Sequence, residues 1–413
     1  MTIGVAARTG CIGKERSNPS SRSDQSVGRL ADTCYRPTRV TIDLDRLVDN
    51  VVALRQNANV RSFAAVLKAD AYGHGAVAVG RKLCQSGVVD AFVVALVEEG
   101  IELRQSGITL PILVAAGNYA GKAYVDVIAH QLTPIVGSIE DLHGFSDAAS
   151  TLGVDRVAVH LEFDVGMARL GFQVESLSQL RMAVEGLDRV VIAGMMGHPS
   201  HAELPDAIRT SEQETLLTSI CDVVVPNRSV KDCPSGLMVH MANSSALTTS
   251  HRQDTFELAR IGLAIFGIQP VPSLPLKGIK PILEWTADVV ALRTIAKGQT
   301  VGYDGKWTAQ RTSRIATLAV GYADGYPRSF SNRAEVLIEG NRARVVGAIC
   351  MDYTMIDITD IPAADRIGAR ATLLGQGPKA PDVTELALWA ESISWEILSR
   401  IGSRVPRFYL GAQ

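Results

Sequence analysis

The chain has 413 residues, of which 46% are hydrophobic and 20% charged, and its formal net charge is −2. This balance is typical of a soluble globular protein, and the length favours two domains over one. The near-zero charge gives no support for a nucleic-acid-binding surface, and no apolar run approaches the ~18 residues that a membrane-spanning helix needs. The six cysteines are scattered without a CxxC pair, so we expect reduced thiols in a cytoplasmic protein and no metal site.

The first 35 residues differ from the rest of the chain. They centre on the polar stretch SNPSSRSDQS, show little apolar periodicity and contain no apolar core of a secretory signal. The acidic residues Glu15, Asp24 and Asp32 argue against a transit peptide. We therefore predict that residues 1–35 are a disordered extension, or that the true start codon lies downstream.

From residue 36 to about residue 275, short apolar runs alternate with longer amphipathic stretches. Continuous apolar runs are typical of strands that are covered on both faces. The runs that predict strands are SFAAVL (62–67), AFVVAL (91–96), PILVAA (111–116), LTPIVG (132–137), RVAVHLEF (156–163), VVIAGMMG (190–197), GLMVHMA (236–242) and LARIGLAIFG (258–267). Eight strands separated by helices predict a (β/α)8 TIM-type barrel over residues 36–275. A doubly wound open sheet stays open as the alternative.

Residues 276–413 have a different pattern. Short apolar runs such as WTADVVALRTI, AEVLIEG and YTMIDIT are separated by polar or glycine residues and lack helical periodicity. This pattern predicts a mostly β C-terminal domain. The proline-rich segment 270–281 is the natural linker between the two domains.

Lys68 stands at the end of the first predicted barrel strand, in the segment AVLKADAYGHG (65–75). A lysine there has two interpretations: a surface side chain that closes the strand, or a Schiff-base lysine at the end of the barrel that carries catalytic groups. Position alone favours the first interpretation. The tyrosine and glycines that follow favour the second, because a glycine-flanked loop with a phenol can approach a phosphate closely.

AVLKADAYGHG resembles the cofactor-attachment segment of the alanine racemase family, whose members bind pyridoxal 5'-phosphate on a (β/α)8 barrel. The resemblance implies that Lys68 carries the cofactor and that Tyr72 donates a hydrogen bond on its phosphate side. Further segments match in order along nearly all of residues 36–413.

Three of these segments imply contacts with the cofactor ring. HLEFDVGMARLG (160–171) implies that Arg169 bonds the phenolate and also contacts the substrate. GHPSHAE (197–203) implies that His198 stacks on the pyridine ring. LARIGLAIFG implies that Arg260 faces the pyridine nitrogen. Taken singly, His198 is equally well a core histidine and Arg260 an ordinary ion-pair partner, and only their common pattern favours the cofactor site.

Two segments imply contacts with the phosphate. HMANSSA (240–246) implicates Asn243 and Ser244, and the glycine-containing end of LARIGLAIFG implicates Gly262 and Leu263. A serine is also commonplace at any helix N-terminus. The loops after the last two barrel strands are a frequent phosphate site in this fold.

The C-terminal segments imply catalysis and substrate entry. GYDGKW (302–307) resembles the family segment with the second catalytic base, which would be Tyr303. VGYADGYPR (320–328) and ICMDY (349–353) resemble segments that line the substrate entrance and implicate Tyr322, Met351 and Asp352. In the family the β domain of one subunit completes the site of its partner, so the resemblance implies a homodimer in which Tyr303 acts in trans.

The sequence departs from the family at two positions. Glu162 stands where many members have a lysine that orients the arginine equivalent to Arg169, and we expect a carboxylate there to pair directly with that guanidinium. Trp395 stands where members often have a tyrosine that restrains cofactor and substrate. These departures leave open an amino acid other than alanine, such as serine, or a broader specificity.

The resemblance implies a racemase that exchanges the Cα proton of an amino acid between Lys68 on the D side and Tyr303 on the L side. Such an enzyme supplies D-alanine for peptidoglycan or catabolises it. Two other functions use the same barrel and cofactor: a barrel decarboxylase and a non-catalytic single-barrel cofactor-binding protein. The first lacks its glycine-triplet phosphate loop here, and the second leaves the C-terminal domain without a purpose.

Overall fold

The computed structural model describes residues 35–57, 60–115, 119–204, 208–224, 237–249 and 256–412. The predicted N-terminal extension therefore lies outside the described residues, apart from Tyr35. The first strand, β1 (Thr38–Asp43), is followed by the helix α1 (Leu44–Asn57). The sequence pattern places residues 36–275 in the barrel domain, but β1 pairs antiparallel with residues 283–287 and parallel with residues 407–410. It belongs to the sheet of the second domain, and the remaining division between residues 275 and 276 stays a proposal.

Eight parallel strands form a nearly closed barrel, which confirms the predicted fold. They are β2 (Ser62–Val66), β3 (Ala91–Val94), β4 (Ile112–Val114), β5 (Thr133–Val136), β6 (Val157–Glu162), β7 (Val190–Met196), β8 (Met238–His240) and β9 (Leu258–Ile261). The strands follow one another in sequence order from β2 to β8, and β9 returns to pair with β2. An open doubly wound sheet would instead reverse its strand order at a switch point, so that alternative is excluded.

Helices follow the strands and cover the barrel. They are α2 (Ala76–Ser86), α3 (Val97–Gln105), α4 (Ala123–Ala129), α5 (Ile139–Leu152), α6 (Leu177–Glu185), α7 (Ile208–Val224) and α8 (Ala246–Thr249). The ends of α5 show how the sequence sets these bounds: the Ser138 hydroxyl accepts the Asp141 N–H, and Gly153 stops the helix with φ 67°. No helix in the described ranges is long and apolar enough to span a membrane.

The C-terminal domain is mostly β, as predicted. Its strands are β10 (Leu283–Ile295), β11 (Thr300–Val301), β12 (Trp307–Thr308), β13 (Ser313–Leu318), β14 (Glu335–Ile338), β15 (Asn341–Arg344), β16 (Thr354–Asp357), β17 (Arg370–Leu374) and β18 (Arg407–Leu410). The long strand β10 pairs with β1, β13 and β17 and is the centre of the main sheet. Two short helices, α9 (Val383–Ala390) and α10 (Ser394–Ser399), lie between β17 and β18.

The C-terminal domain contacts the barrel beside Lys68. A side chain at Gly73 would place its Cβ 2.4 Å from the carbonyl oxygen of Leu398 in α10. The guanidinium of Arg407, in β18, donates two hydrogen bonds to the Gly73 carbonyl oxygen at 3.3 and 3.2 Å. The second domain therefore helps to shape the loop that carries the lysine, and it brings Trp395 of α10 to the barrel mouth.

Candidate active site

Lys68 leaves the barrel at the end of β2 and enters a left-handed turn. Four consecutive residues without glycine, Ala69 to Tyr72, have φ between 52° and 55° and ψ between 40° and 53°. This conformation costs L-residues roughly 1–2 kcal/mol each, so tertiary contacts must hold it. The Leu67 carbonyl accepts the Ala71 N–H at 2.8 Å, and the Glu99 carboxylate accepts the Ala69 N–H at 2.6 Å.

The far end of the turn is held by Asp70 and His74. The Asp70 carboxylate accepts the N–H of Ala76, the first residue of α2, at 2.7 Å. The Nδ1 of His74 lies 2.9 and 3.0 Å from the carbonyl oxygens of Ala71 and Tyr72, so this nitrogen carries the proton and donates it. The ring stacks on Phe266, and burial lowers the pKa of His74 to about 4.

A cavity of about 410 Å³ opens at the mouth of the barrel. The structure brings together around it all the residues that the sequence predicted to contact a cofactor. These are Lys68, Tyr72, Arg169, His198, Asn243, Ser244, Arg260, Gly262, Leu263 and Trp395. They come from the ends of several strands and from α10, as the mouth of a (β/α)8 barrel allows. Their contact with a cofactor stays a prediction.

The environment of Lys68 favours the neutral amine. Burial lowers the pKa of Lys68, and the positive charges of Arg169 and Arg260 lower it further, whereas the carboxylate of Glu99 raises it. The balance is a pKa below the ordinary lysine value. A neutral amine is the form that attacks a carbonyl carbon and accepts a proton, so this environment suits a nucleophile or a base.

Arg260, in β9, is held in a fixed orientation beneath the cavity. One guanidinium nitrogen lies 2.7 Å from Nδ1 of His240, and the other donates to the carbonyl oxygen of Gly197 at 3.0 Å. The Nε2 of His240 lies 2.7 Å from Nδ1 of His160. Because a guanidinium only donates, the His240 proton sits on Nε2 and is donated to His160, whose proton is then on its own Nε2.

His240 and His160, the two histidines linked to Arg260 by hydrogen bonds, are both neutral. Burial first, and the charge of Arg260 second, lower the pKa of His160 to about 4 and hold that of His240 well below the ordinary value. His198 lies 3.4 Å from Arg260, and the same causes lower its pKa to about 3. Arg260 itself has a pKa lowered by burial to about 10, so it remains a cation at neutral pH.

Ser244, Gly262 and Tyr72 give one part of the cavity wall the properties of an anion site. The Ser244 hydroxyl oxygen accepts the N–H groups of Gly262 and Ala264 at 3.1 and 3.4 Å, which leaves its own proton to donate. A Cβ on Gly262 would lie 2.4 Å from the hydroxyl oxygen of Tyr72. Glycine is therefore required where the phenol approaches the backbone.

Arg169 is carried by an exposed loop after β6. The Asp164 carboxylate accepts the N–H groups of Gly166, Met167 and Ala168 at 2.9, 2.9 and 3.0 Å. Burial raises the pKa of Asp164, but these hydrogen bonds outweigh it and hold the pKa below its usual range. The bonds close the loop and fix the base from which Arg169 extends.

The expected direct pair between Glu162 and Arg169 is not formed in the described part of the chain, where no nitrogen–oxygen distance within 4.0 Å joins them. Glu162 is buried at the end of β6, while Arg169 is exposed on the loop. Burial raises the pKa of Glu162, and the charges of Arg260 and Arg169 only partly oppose this. The carboxylate acts on both guanidinium groups at longer range.

Four predicted residues lie away from this cavity. Tyr303, Tyr322 and Met351 are exposed by 66%, 41% and 53% on the C-terminal domain. Asp352 pairs with Arg404 at 2.6 Å. None of the four lines the cavity of the same chain.

The sequence interpretation missed several residues of the site. Glu99 contacts the lysine turn, His160 and His240 support Arg260, and Glu203 lines the cavity, where burial raises its pKa. One available signal was histidine near the end of an apolar strand, in RVAVHLEF and GLMVHMA. Another was Glu99, at the third position of a helix, where a glutamate commonly bonds back to the N-cap backbone.

A (β/α)8 barrel with a lysine at its mouth, joined to a β domain that packs on the lysine loop, defines a class of two-domain barrel enzymes. Two family models cover nearly the whole folded chain: the alanine racemase N-terminal domain matches residues 42–270, and the C-terminal domain matches residues 282–409. The chain belongs to the alanine racemase family.

Relatives match over most of their length. The alanine racemase of Sorangium cellulosum is 38% identical, over 91% of this chain and 99% of the relative. That of Halothermothrix orenii is 35% identical, over 91% and 97%.

Solved structures agree with these matches. The alanine racemase of a D-cycloserine-producing Streptomyces lavendulae superposes with a TM-score of 0.84 at 30% identity, over 92% of this chain and 98% of that one. The alanine racemase of Bartonella henselae, solved with covalently bound pyridoxal phosphate, superposes with a TM-score of 0.81 at 26% identity, over 91% and 99%. The family and the fold are thus established independently of the individual site residues.

Proposed function

We propose that this protein interconverts L- and D-alanine with pyridoxal 5'-phosphate carried on Lys68. The observation that carries the proposal is the convergence of Lys68, Arg260 and Ser244 on one cavity of about 410 Å³. The product D-alanine would enter peptidoglycan, or the enzyme would serve its catabolism. The activity named for the relatives supports this choice of substrate.

The donors around the cavity fit this cofactor. Ser244 has a proton to donate, and the Tyr72 hydroxyl lies beside the Gly262 backbone, so two hydroxyl donors suit a phosphate. Arg260 would face the pyridine nitrogen, and Arg169 would bond the phenolate oxygen. Lys68, with a lowered pKa, suits covalent attachment to the aldehyde.

When bound, pyridoxal phosphate supplies an electron sink for the charge that develops at Cα of the substrate. Arg260 limits the strength of that sink, because a guanidinium donates only and would keep the ring nitrogen unprotonated. Hydrogen bonds to His240, which is held in turn by His160, fix the orientation of Arg260. Both histidines are neutral, so neither forms an ion pair with the guanidinium. We expect this arrangement to favour return of the proton to Cα.

Two groups on opposite faces of the substrate must exchange the proton. Lys68 would act on the D side from within its own barrel. Tyr303 would act on the L side, and because it is 66% exposed and lies off its own cavity, we propose that it enters the site of a partner subunit. The active unit would be a homodimer, with Tyr322, Met351 and Asp352 lining the shared substrate entrance.

A second substrate class is favoured by Trp395. This side chain lines the cavity where many family members place a tyrosine, and an indole donates a hydrogen bond but accepts none. The pocket therefore differs in shape and in polarity from one closed by a phenol. Serine and larger amino acids belong in the same assay as alanine.

The test is to incubate the purified protein with each L-amino acid and separate the enantiomers by chiral chromatography. We expect D-alanine to form, and the variant Lys68→Ala to form none. Activity of Lys68→Ala without an added amine would contradict the proposal. Incorporation of solvent deuterium at Cα without release of carbon dioxide separates a racemase from a decarboxylase.

A further inference from the structure

Glu99 joins the lysine turn to the next barrel loop. It lies in the first turn of α3, directly after β3. One carboxylate oxygen accepts the N–H of Ala69 at 2.6 Å. The other accepts the N–H groups of Ala95 and Leu96 at 2.8 and 3.0 Å. A single carboxylate thus bridges two loops at the barrel mouth.

Helix capping explains only half of this arrangement. A glutamate at the third position of a helix commonly reaches back to the N-cap backbone, and the bonds to Ala95 and Leu96 do this. The bond to Ala69 reaches instead to a neighbouring loop 30 residues earlier in the chain. Within the described ranges the Ala69 N–H has no other acceptor, so the left-handed turn starts on this bond.

We propose that Glu99 is a positioning residue for Lys68, because its carboxylate fixes the peptide unit that follows Lys68 and so directs the lysine side chain into the cavity. The inference rests on the proposed function, in which Lys68 carries the cofactor.

The charge of Glu99 supports the same role. Burial, Arg169 and Arg260 all lower the pKa of Lys68, and Glu99 is the group that raises it. Loss of this carboxylate must therefore lower the pKa of Lys68 further. This charge acts on Lys68 through space whether Glu99 positions the turn or only caps α3, so retention of the cofactor tests the positioning role and the pH midpoint tests the charge.

Glu99→Gln tests the role, because glutamine keeps the shape but has no charge and only one acceptor oxygen for two loops. In the holoenzyme we expect the cofactor to dissociate at least about tenfold faster on dilution, because the variant loses one hydrogen bond to a charged acceptor. We also expect the pH midpoint of the cofactor absorbance to move to lower pH. The matched control is Glu98→Gln, since Glu98 lies in the same helical turn, is exposed and makes no bond to the lysine turn.

The inference is overturned if Glu99→Gln and Glu98→Gln retain cofactor equally and share one pH midpoint. It is also overturned if Glu99→Gln lowers the urea midpoint and leaves the retention of cofactor unchanged, because that is the behaviour of a helix cap. Should Glu99→Gln fail to fold, Glu99→Asp serves instead. It keeps the charge but is one methylene too short to bridge both loops, so we expect faster loss of cofactor with an unchanged pH midpoint.

Borohydride reduction of the wild-type holoenzyme, followed by peptide mass mapping, separates this inference from the proposed function. A modified lysine other than Lys68 would overturn both. Modification of Lys68, combined with a Glu99→Gln variant that behaves like Glu98→Gln, would overturn only the role of Glu99.

Discussion

At the barrel mouth, the absence of a side chain at Gly262 makes room for the phenol of Tyr72. The Tyr72 hydroxyl lies where a Cβ of residue 262 would be, 2.4 Å away. The contact is with a buried, rigid aromatic side chain whose ring lies near Phe266, 5.5 Å between centroids. The phenol can relieve this contact only by shifting from its place in the cavity that it lines.

Gly262→Ala should therefore displace Tyr72 and weaken cofactor binding, with a loss of about 1–3 kcal/mol in the free energy of unfolding from overpacking. Urea unfolding and cofactor titration measure the two effects. Gly186→Ala is the control, because a Cβ there meets its nearest atom at 3.6 Å, an ordinary contact. Equal behaviour of the two variants would contradict the steric argument.

Buried histidines make the stability depend on pH. Burial lowers the pKa of His74 and of His160 to about 4, from an ordinary value of 6.5. Between pH 6.5 and about 4 the unfolded chain binds protons that the folded chain excludes, so the free energy of unfolding falls as the pH falls through this window. The stabilisation is fully present above pH 6.5, and its loss is at most roughly 3 kcal/mol for each histidine.

Urea unfolding near pH 7 and near pH 5 measures this slope. His74→Gln should flatten it, since an amide can donate to the carbonyl groups of Ala71 and Tyr72 but does not titrate. A slope as steep in His74→Gln as in the wild-type protein would show that His74 contributes nothing to it.

Among the elements, the loop between β6 and α6 determines where Arg169 is placed. Its exposed part, residues 166–168, donates three hydrogen bonds to one carboxylate oxygen of Asp164. A loop held in this way keeps its fold only while that acceptor is present, because three backbone N–H groups would otherwise lose their partner.

Asp164→Ala should loosen this loop and raise KM by about tenfold, with a smaller effect on kcat, if Arg169 contacts the substrate as proposed. Steady-state racemisation kinetics measure both constants. Asp155→Ala is the control, since Asp155 is an exposed acidic residue that accepts none of the three hydrogen bonds of this loop. An unchanged KM in Asp164→Ala would argue against a substrate contact by Arg169.

For the whole molecule, the separation of Tyr303 from the cavity of its own chain makes the assembly testable. If each site takes Lys68 from one subunit and Tyr303 from the other, a heterodimer of Lys68→Ala and Tyr303→Phe has one doubly mutated site and one intact site. Random exchange of subunits should then restore about a quarter of the wild-type activity from two impaired variants.

Chiral chromatography of the mixture, after conditions that allow subunits to exchange, measures this recovery. Each variant alone, carried through the same exchange, gives the baseline. Activity of the mixture at the mean of the two baselines would show that every chain contains its own complete site, and the proposed dimer would be wrong.

The sequence by itself determined the barrel, the mostly β second domain and the lysine at the end of the first barrel strand. The physical reason is local: strands covered on both faces must be continuously apolar, and each of the eight predicted runs contains one barrel strand. One run was predicted too long, because LARIGLAIFG ends its strand at Ile261 and continues as a 3-10 turn over Leu263–Phe266. The ten predicted residues that line the cavity followed from the family resemblance and not from periodicity.

Only the tertiary structure decided the contacts between distant segments. The place of β1 in the second sheet depends on pairing with strands more than 240 residues away, which no local pattern records. The left-handed turn after Lys68 opposes the intrinsic preference of its own residues. Its N–H groups donate to Glu99 and Leu67, and Asp70 accepts an N–H at the start of α2, so contacts outside the local sequence hold the turn. The chain from Arg260 through His240 to His160 likewise joins three strands that meet only when the barrel closes.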